Sequence, residues 1–202
     1  MQTGPDFREE HELADGRKIV LRHIQPSDSE ELRRGFAALS PESRYRRFFG
    51  AVELDDRALR YLTEVDGTDH VALVAATESL DLKSERGVGV ARFIRSAGDP
   101  AAAEAAVTVV DDMQQLGIGT WLTQALARAA RERGIDRFRC EVLESNEPVV
   151  LALRAVGAKM VERSEGSLVL DVPIPAEGDG PVRRTLRIAA EQVGAFLRRL
   201  VP

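Results

Sequence analysis

Residues 103–122 join an apolar segment to an amphipathic helix through a turn that contains two glycines, Gly117 and Gly119. The first N–H groups of a helix have no partner within it, and the helix dipole gives them a partial positive charge, so they attract anions. Because glycine has no Cβ, a ligand can approach the main chain closely there. The stretch therefore predicts an α/β domain with an anion site built from backbone.

The loop departs from two common nucleotide-binding motifs. No Lys-Ser or Lys-Thr pair follows the glycines, as a P-loop requires, and Leu122 stands where the dinucleotide fingerprint has a third glycine. What remains is Gln-x-x-Gly-x-Gly, formed by Gln114, Gly117 and Gly119. This pattern resembles the pyrophosphate loop for acetyl-coenzyme A in the GCN5-related N-acetyltransferase (GNAT) superfamily.

A downstream segment strengthens this resemblance. Residues 136–143 read as a strand, and Asn146, a short helix and Gly157 follow. Asn146 and Gly157 are in register with the superfamily pattern, whereas Leu153 and Ala158 occupy the places of a frequent tyrosine and a phenylalanine. Since that tyrosine often protonates the leaving thiolate, the resemblance implies that water or another group returns the proton in this chain.

The N-terminal half adds a narrower resemblance. Residues 15–50, which include SPESRYRRFF, and residues 70–76, HVALVAA, are similar to the acetyltransferase domain of bacterial Pat-type protein lysine acetyltransferases. The resemblance, over about residues 15–173, implies acetyl-CoA-dependent transfer to a protein lysine. A small amine is the alternative acceptor, and a non-catalytic acyl-CoA sensor is the alternative class. No motif for a small-ligand pocket is evident, so we expect the acceptor to dock on the surface around the first two helices, which are predicted to begin after Ser27 and to lie at residues 41–49.

Transfer to an amine needs a base, because a lysine amine with a pKa near about 10.4 is almost fully protonated at neutral pH. Glu104 is the candidate, since it begins the strand that leads to the loop and many superfamily members carry a base glutamate at about that distance. A solvated charge at a strand end is the other interpretation. The resemblance also implies that the main chain of Val109 and Val110 contacts the pantetheine arm and the thioester carbonyl.

The glycine turn is expected to bind the pyrophosphate of acetyl-CoA. Its main-chain N–H groups at residues 115, 117, 119 and 120 are the expected donors, with the Thr120 hydroxyl as a further donor. Asn146 is expected to contact the pantetheine or adenine side, and a plain helix N-cap is the alternative. The loop residues predicted to contact the cosubstrate are Gln114, Gln115, Gly117, Ile118, Gly119 and Thr120.

Composition narrows the class of partner. The net charge of −5 and the pI near 5.4 disfavour a nucleic-acid partner, which usually requires a basic face. No apolar run reaches about 18 residues and the first residues contain no apolar signal core, so we expect a cytoplasmic protein that is not in the membrane. The single cysteine, Cys140, alternates with apolar residues on a strand and is expected to be buried. No histidine spacing implies a metal.

The predicted organisation is one α/β domain at residues 15–173, with a mixed, mostly antiparallel sheet flanked by helices. An N-terminal tail at residues 1–14 precedes it, with a loose end expected at residues 1–10, and Asp15-Gly16 predicts a type I′ hairpin. A linker at residues 174–184 leads to an appended amphipathic helix at residues 185–202. That helix either docks on the domain or forms a homodimer contact.

Overall fold

The computed structural model describes residues 3–4, 6–41, 43, 54–78, 85–164 and 166–174. Within them, one eight-stranded sheet is flanked by four α-helices, which confirms the predicted mixed architecture. The strands are β1 (Arg8–Glu12), β2 (Lys18–His23), β3 (His70–Glu78), β4 (Glu85–Ser96), β5 (Asp99–Val109), β6 (Arg137–Leu143), β7 (Lys159–Ser164) and β8 (Ser167–Pro173). The helices are α1 (Ser29–Ala38), α2 (Asp56–Thr63), α3 (Ile118–Glu132) and α4 (Glu147–Ala155).

Two predicted elements fall largely or wholly outside the described residues. They are the short helix expected at residues 41–49 and the appended helix expected at residues 185–202. The linker at residues 174–184 is described only at Ile174. The domain boundaries stay a prediction.

The strand order is β1-β2-β3-β4-β5-β6-β8-β7, and every neighbouring pair is antiparallel except β5 and β6. The parallel ladder is short: it runs from Ala102 opposite Arg137 to Glu104 opposite Arg139. Beyond Glu104, β5 continues to Val109 without pairing with β6. The two strands therefore separate towards their carboxyl ends and leave a gap beside the glycine loop.

Helix α3 covers one face of the sheet. Its apolar side chains recur at helical spacing, and Ile118, Leu122 and Leu126 are almost completely buried. At Gly89 of β4, a Cβ would lie 2.9 Å from Leu122 Cδ1 and 3.1 Å from Thr108 O. Only glycine at this position allows α3 to pack so closely over the start of the cosubstrate loop.

Helices α1 and α2 cover the opposite face. Leu39 and Leu62 form a small cluster there, with Leu32, Phe36 and Leu54 packed against it. A network of buried charges fixes the turn before α1 to the sheet: Arg22 donates to Asp28 at 2.8 Å and to Glu85 at 2.8 Å. This anchoring holds α1 over β4.

The expectation of a loose N-terminal end is wrong from Arg8 onward. Residues 8–12 form β1 and pair with β2, and Thr3 is buried and donates to Glu132 at 3.1 and 3.0 Å. Hydropathy could not reveal this strand, because REEHE is polar and is held by backbone pairing and by an ion pair between Glu9 and Arg128.

The predicted hairpin at Asp15-Gly16 is present, but its turn is not type I′. Leu13 N–H donates to Arg17 O at 2.8 Å, and Gly16 N–H donates to Leu13 O at 2.9 Å. Gly16 has a φ of 83°, whereas Asp15 is not among the residues with positive φ. The loop is therefore a turn closed by one left-handed glycine, which three-residue hairpin loops commonly use.

Candidate functional site

The turn after β5 has the backbone geometry of an anion site. A short 3₁₀ turn, Asp111–Met113, leads into it, and the chain then takes left-handed φ values at Gln115 (64°) and Gly117 (90°). Gly117 is the N-cap of α3, and a Cβ built on it would meet no atom within 4 Å. The main chain at the helix start is therefore accessible from the side on which a ligand would bind.

The free donors cluster at this helix start. Thr120 N–H and Trp121 N–H both donate to Gly117 O, at 3.0 and 3.1 Å, so these two groups are already used by the helix. Among the described residues, no hydrogen-bond partner is present for the N–H groups of residues 115–119. The predicted donors at Gln115, Gly117 and Gly119 are thus available, whereas the Thr120 N–H is occupied.

The Thr120 hydroxyl is a separate case. Its Oγ1 is buried and has no hydrogen-bond partner within the described part of the chain. A buried hydroxyl without a partner is destabilising, and this one is able to donate a hydrogen bond to a ligand bound at the start of α3. The hydroxyl therefore suits the role predicted for it.

The side chain of Gln114 stabilises the loop through two hydrogen bonds. Its Nε2 donates to Val109 O at 3.1 Å and to Asp111 Oδ1 at 3.0 Å. Asp111 also accepts from Ser40 N–H and from Ser43 Oγ, both at 2.7 Å. One carboxylate thus joins the glycine loop to the segment that follows α1.

The main chains of Val109, the last residue of β5, and of Val110, which follows it, make different hydrogen bonds. Val110 N–H donates to Val88 O of β4 at 3.0 Å. Because hydrogen-bonding direction alternates along a strand, the main-chain groups of Val109 and Val107 face the other way, towards β6. There the strands have separated. The N–H of Val109 therefore faces the gap, the N–H of Val110 is occupied, and both side chains are buried in the core.

Glu104 lies at the last pair of the parallel ladder, opposite Ile94 on one side and Arg139 on the other. It is half-buried. The pKa of Tyr61 on α2 is raised, chiefly by burial and further by the negative charge of Glu104, and the Arg92 cation opposes that rise. Because side chains alternate along a strand, Glu104 lies on the same face of β5 as Thr108, which is the face that α1 and α2 cover.

A cavity of about 500 Å³ lies between α1, α2 and this face of β2 to β5. Thr108 and Val110 line it, so it reaches the end of β5 beside the gap. Apolar side chains from several elements form much of its wall, namely Ile24, Leu32, Phe36, Leu39, Leu54, Leu62, Val74 and Val90. The sequence did not predict this cavity, because its walls come from segments far apart in the chain.

Arg92 is the buried charge at one end of the cavity. Its Nη1 lies 3.2 Å from His70 Nε2, and its Nη2 donates to Leu62 O at 3.1 Å. Burial lowers the pKa of Arg92 to about 10, so it stays a cation at neutral pH. Burial and Arg92 lower the pKa of His70 to about 4. Since a guanidinium only donates, the neutral His70 accepts at Nε2 and carries its proton on Nδ1.

Sequence reasoning missed both Arg92 and His70. The available signal was the alternation in GVGVARFI, where Arg92 occupies an inward position among small and apolar residues. An inward arginine on a central strand is unusual unless it has a structural or binding role.

The remaining predicted positions lie around the gap or in the core. Asn146 is the N-cap of α4 at the end of β6, and its side chain makes no capping hydrogen bond to that helix. Leu153, at the usual tyrosine place, is completely buried in the hydrophobic core. Cys140 is buried, and burial raises the pKa of its thiol to about 12, so it is not a nucleophile at neutral pH.

The described part of the chain has neither a metal-binding cluster nor a membrane-spanning helix. No group of three or more His, Cys, Asp or Glu side chains there could hold a metal ion. None of the four described helices has both the length and the apolar character needed to cross a membrane.

Comparison with known proteins places this geometry in a family. The sequence matches the Acetyltransferase (GNAT) family over residues 27–157. Acetyltransferase Pat of Mycolicibacterium smegmatis is 34% identical over 160 residues, which cover 79% of this chain and 47% of that protein. An acetyltransferase of Pseudomonas aeruginosa is 34% identical over 128 residues, which cover 62% of this chain and 67% of that protein.

A solved structure supports the same assignment. The crystal structure of the GNAT domain of S. lividans PAT is similar with a TM-score of 0.69 and 30% identity, and the match covers 82% of this chain and 96% of that chain. The present chain spans about half the length of the M. smegmatis protein. The family match includes the glycine loop, Glu104 and Asn146, and it implies an acyl-CoA cosubstrate and an acceptor. The chain belongs to the GNAT acetyltransferase family.

Proposed function

We propose that this protein transfers an acetyl group from acetyl-CoA to the side-chain amine of a protein lysine. The observation that carries the proposal is a row of N–H groups at the start of α3 that have no partner among the described residues. They lie directly beside the gap between β5 and β6, and Glu104 is on β5. The choice of a protein acceptor rests on the similarity to Pat-type proteins.

The residues of the loop fit an acyl-CoA cosubstrate. Free N–H groups at Gln115, Gly117 and Gly119, with the buried Thr120 hydroxyl, suit the oxygens of a pyrophosphate. The Val109 main chain faces the gap, where it would hold the pantetheine arm, and Asn146 approaches from β6. Acetyl-CoA supplies the activated thioester when bound.

Glu104 has the position required of the base. It is half-buried on the face that α1 and α2 cover, so a carboxylate oxygen would accept a proton from the ammonium of an entering acceptor, directly or through one water. Leu153 holds no proton, so the thiolate would be protonated by water or another group. The buried, inert Cys140 favours direct transfer between the two substrates rather than an acyl-enzyme.

A second candidate is a small amine as the acceptor, and the cavity is the observation that favours it. Its volume of about 500 Å³ lies within the range of small-molecule sites, roughly 300 to 1,000 Å³. It opens beside the end of β5, where the thioester would emerge. A protein acceptor that docks only on the surface would not need such a space.

Incubation of the protein with radiolabelled acetyl-CoA and cell lysate tests these alternatives, with proteins and small molecules separated before counting. We expect label on lysine residues of lysate proteins, and its loss with Glu104→Gln. Label confined to the small-molecule fraction would contradict the protein acceptor and support the second candidate. Tight acetyl-CoA binding without transfer to either fraction would contradict an enzyme and favour the acyl-CoA sensor.

A further inference from the structure

The cavity contains one arginine, Arg92, whose charge is not balanced by any carboxylate of the described residues. Arg92 is 3% exposed, and its hydrogen-bonding partners within the described residues are the neutral His70 ring and the Leu62 carbonyl. It forms no ion pair in that part of the chain, and among its charged neighbours only Tyr61 favours its cationic form. A buried cation without an anionic partner is costly, so its retention points to a ligand.

The second arginine of the cavity, Arg22, differs from Arg92 because carboxylates accept its hydrogen bonds. Arg22 donates to Asp28 and to Glu85 at 2.8 Å, and these hydrogen bonds raise its pKa despite the opposing effect of burial. Arg22 is therefore neutralised within the protein, whereas Arg92 is held in a fixed orientation by two neutral acceptors. A planar guanidinium held in this way is suited to bind a carboxylate through two parallel hydrogen bonds.

The sheet register places this cation close to the proposed base. His70, Ile94 and Glu104 occupy one row across β3, β4 and β5, and Arg92 lies two rows further along on the same face, opposite Ala106. Its guanidinium leans towards the first row, since Nη1 lies 3.2 Å from His70. The Cα atoms of such diagonal positions are about 7 to 8 Å apart, so the side chains of Arg92 and Glu104 start close enough to contact one small ligand.

We propose that the cavity binds an α-amino acid with an apolar side chain as an acetyl acceptor, with its carboxylate on Arg92 and its amine towards Glu104. The apolar wall formed by Leu32, Phe36 and Leu39 takes the side chain of the ligand. This inference rests on the proposed acetyl transfer and assigns a substrate class to the small-amine candidate. Arg92 is its specificity-determining residue.

Calorimetric titration of the full chain with L-phenylalanine and with L-phenylalaninamide tests the role of the carboxylate. The amide keeps the amine and the ring but has no carboxylate. We expect the amino acid to bind about tenfold more tightly or better, and Arg92→Met to abolish that difference. Arg92→Lys keeps the charge but not the planar fork, so it should restore only part of the difference.

A second variant keeps the test valid if Arg92→Met does not fold. A Cβ on Gly35 of α1 would meet only Val110 Cγ1, at 3.9 Å, so Gly35→Leu projects into the cavity and leaves Arg92 unchanged. It should abolish amino-acid binding and retain acetyl-CoA affinity. Equal affinity for the amino acid and the amide, or undiminished binding by Gly35→Leu, would overturn the inference.

The same preparations separate this inference from the proposed acetyltransferase. Acetyl-CoA affinity and transfer to lysate proteins are measured with the wild type and with both variants. Protein acetylation that persists while no amino acid binds would overturn the amino-acid pocket and leave the acetyltransferase standing. Acetylation of L-phenylalanine but not of its amide, lost in Gly35→Leu, is the result that the inference predicts.

Discussion

The two sides of the central sheet are built in different ways. On the α3 side, the site consists of main-chain N–H groups in one continuous turn, residues 115–119, together with one buried hydroxyl. On the side of α1 and α2, the cavity is formed by side chains from several separate elements, with Arg92 and Glu104 contributed by neighbouring strands. The first site needs a local backbone shape, and the second needs the complete fold.

This difference determines what each side can recognise. A backbone site binds a group that all acyl-CoA molecules share, so few side chains can alter it. A side-chain cavity changes with every substitution in its wall, so we expect acceptor specificity to be located there. We expect the two sides to act separately, except where Asp111 joins them.

Glu104→Gln should have the largest effect. We expect the chemical rate to fall by roughly 10² to 10⁴, with little change in acetyl-CoA affinity, because the base acts on the acceptor side alone. Single-turnover kinetics and calorimetry measure the two quantities. Glu162→Gln, at an exposed position on β7, is the control and should leave both unchanged.

The dependence of this effect on pH provides a stronger test. As pH approaches about 10, near the ordinary lysine pKa, the acceptor loses its proton without help and the deficit of Glu104→Gln should shrink. A deficit that stays constant between pH 7 and pH 10 would mean that Glu104 does not act as a base.

Asp111→Ala should affect both sides at once. The carboxylate accepts hydrogen bonds from Ser40, Ser43 and Gln114. Its loss therefore removes the contacts between the glycine loop and the segment after α1, and one of the two hydrogen bonds of the Gln114 side chain. At about 0.5 to 1.5 kcal/mol for each hydrogen bond, we expect KM to rise about tenfold for both substrates. Steady-state kinetics with each substrate varied in turn measures this.

Asp112→Ala is the matched control for Asp111→Ala. Asp112 is its exposed neighbour and pairs only with Arg86 among the described residues, at 2.9 Å. A surface ion pair contributes little, so both KM values should stay near those of the wild type. An Asp111→Ala protein that changes only one KM would show that the two sides are not joined there.

Thr120→Val should weaken acetyl-CoA binding by about two- to tenfold, the effect of one hydrogen bond. The free protein should be at least as stable as the wild type, because valine has nearly the same shape and removes a buried hydroxyl that has no partner in the described residues. Calorimetry and thermal unfolding measure the two quantities. A clear loss of stability with unchanged affinity would assign the hydroxyl a purely structural role.

Cys140→Ala should have the smallest effect on activity. The thiol is buried, and its raised pKa keeps it protonated, so the variant should keep kcat/KM within about twofold of the wild type. It should lose only some stability, about 1 kcal/mol, from the smaller side chain. Mass-spectrometric detection of an acetyl group on Cys140 would instead demonstrate an acyl-enzyme.

The same contrast explains what could be predicted from the sequence. The loop, α3 and the register of Asn146 were predictable, because the left-handed backbone at Gly117 is a local requirement that favours glycine. Strand β1 was not predictable from the sequence, because its backbone pairs with β2 although its residues, REEHE, are polar. The role of Arg92 was not predictable either, since its hydrogen-bond partners, His70 and Leu62, come from other elements. Long-range contacts determined these features.

The central claim is that the main chain at the start of α3 binds the pyrophosphate of acetyl-CoA. Gly117 and Gly134 flank this helix, both have left-handed φ values, 90° and 74°, and a Cβ on either would meet no atom within 4 Å. Glutamate at either glycine therefore imposes a similar backbone strain, but only Gly117→Glu brings a negative charge to the loop. Calorimetric titration of both variants with acetyl-CoA should show binding abolished in folded Gly117→Glu and retained in Gly134→Glu. Equal affinity of the two folded variants for acetyl-CoA would contradict the claim.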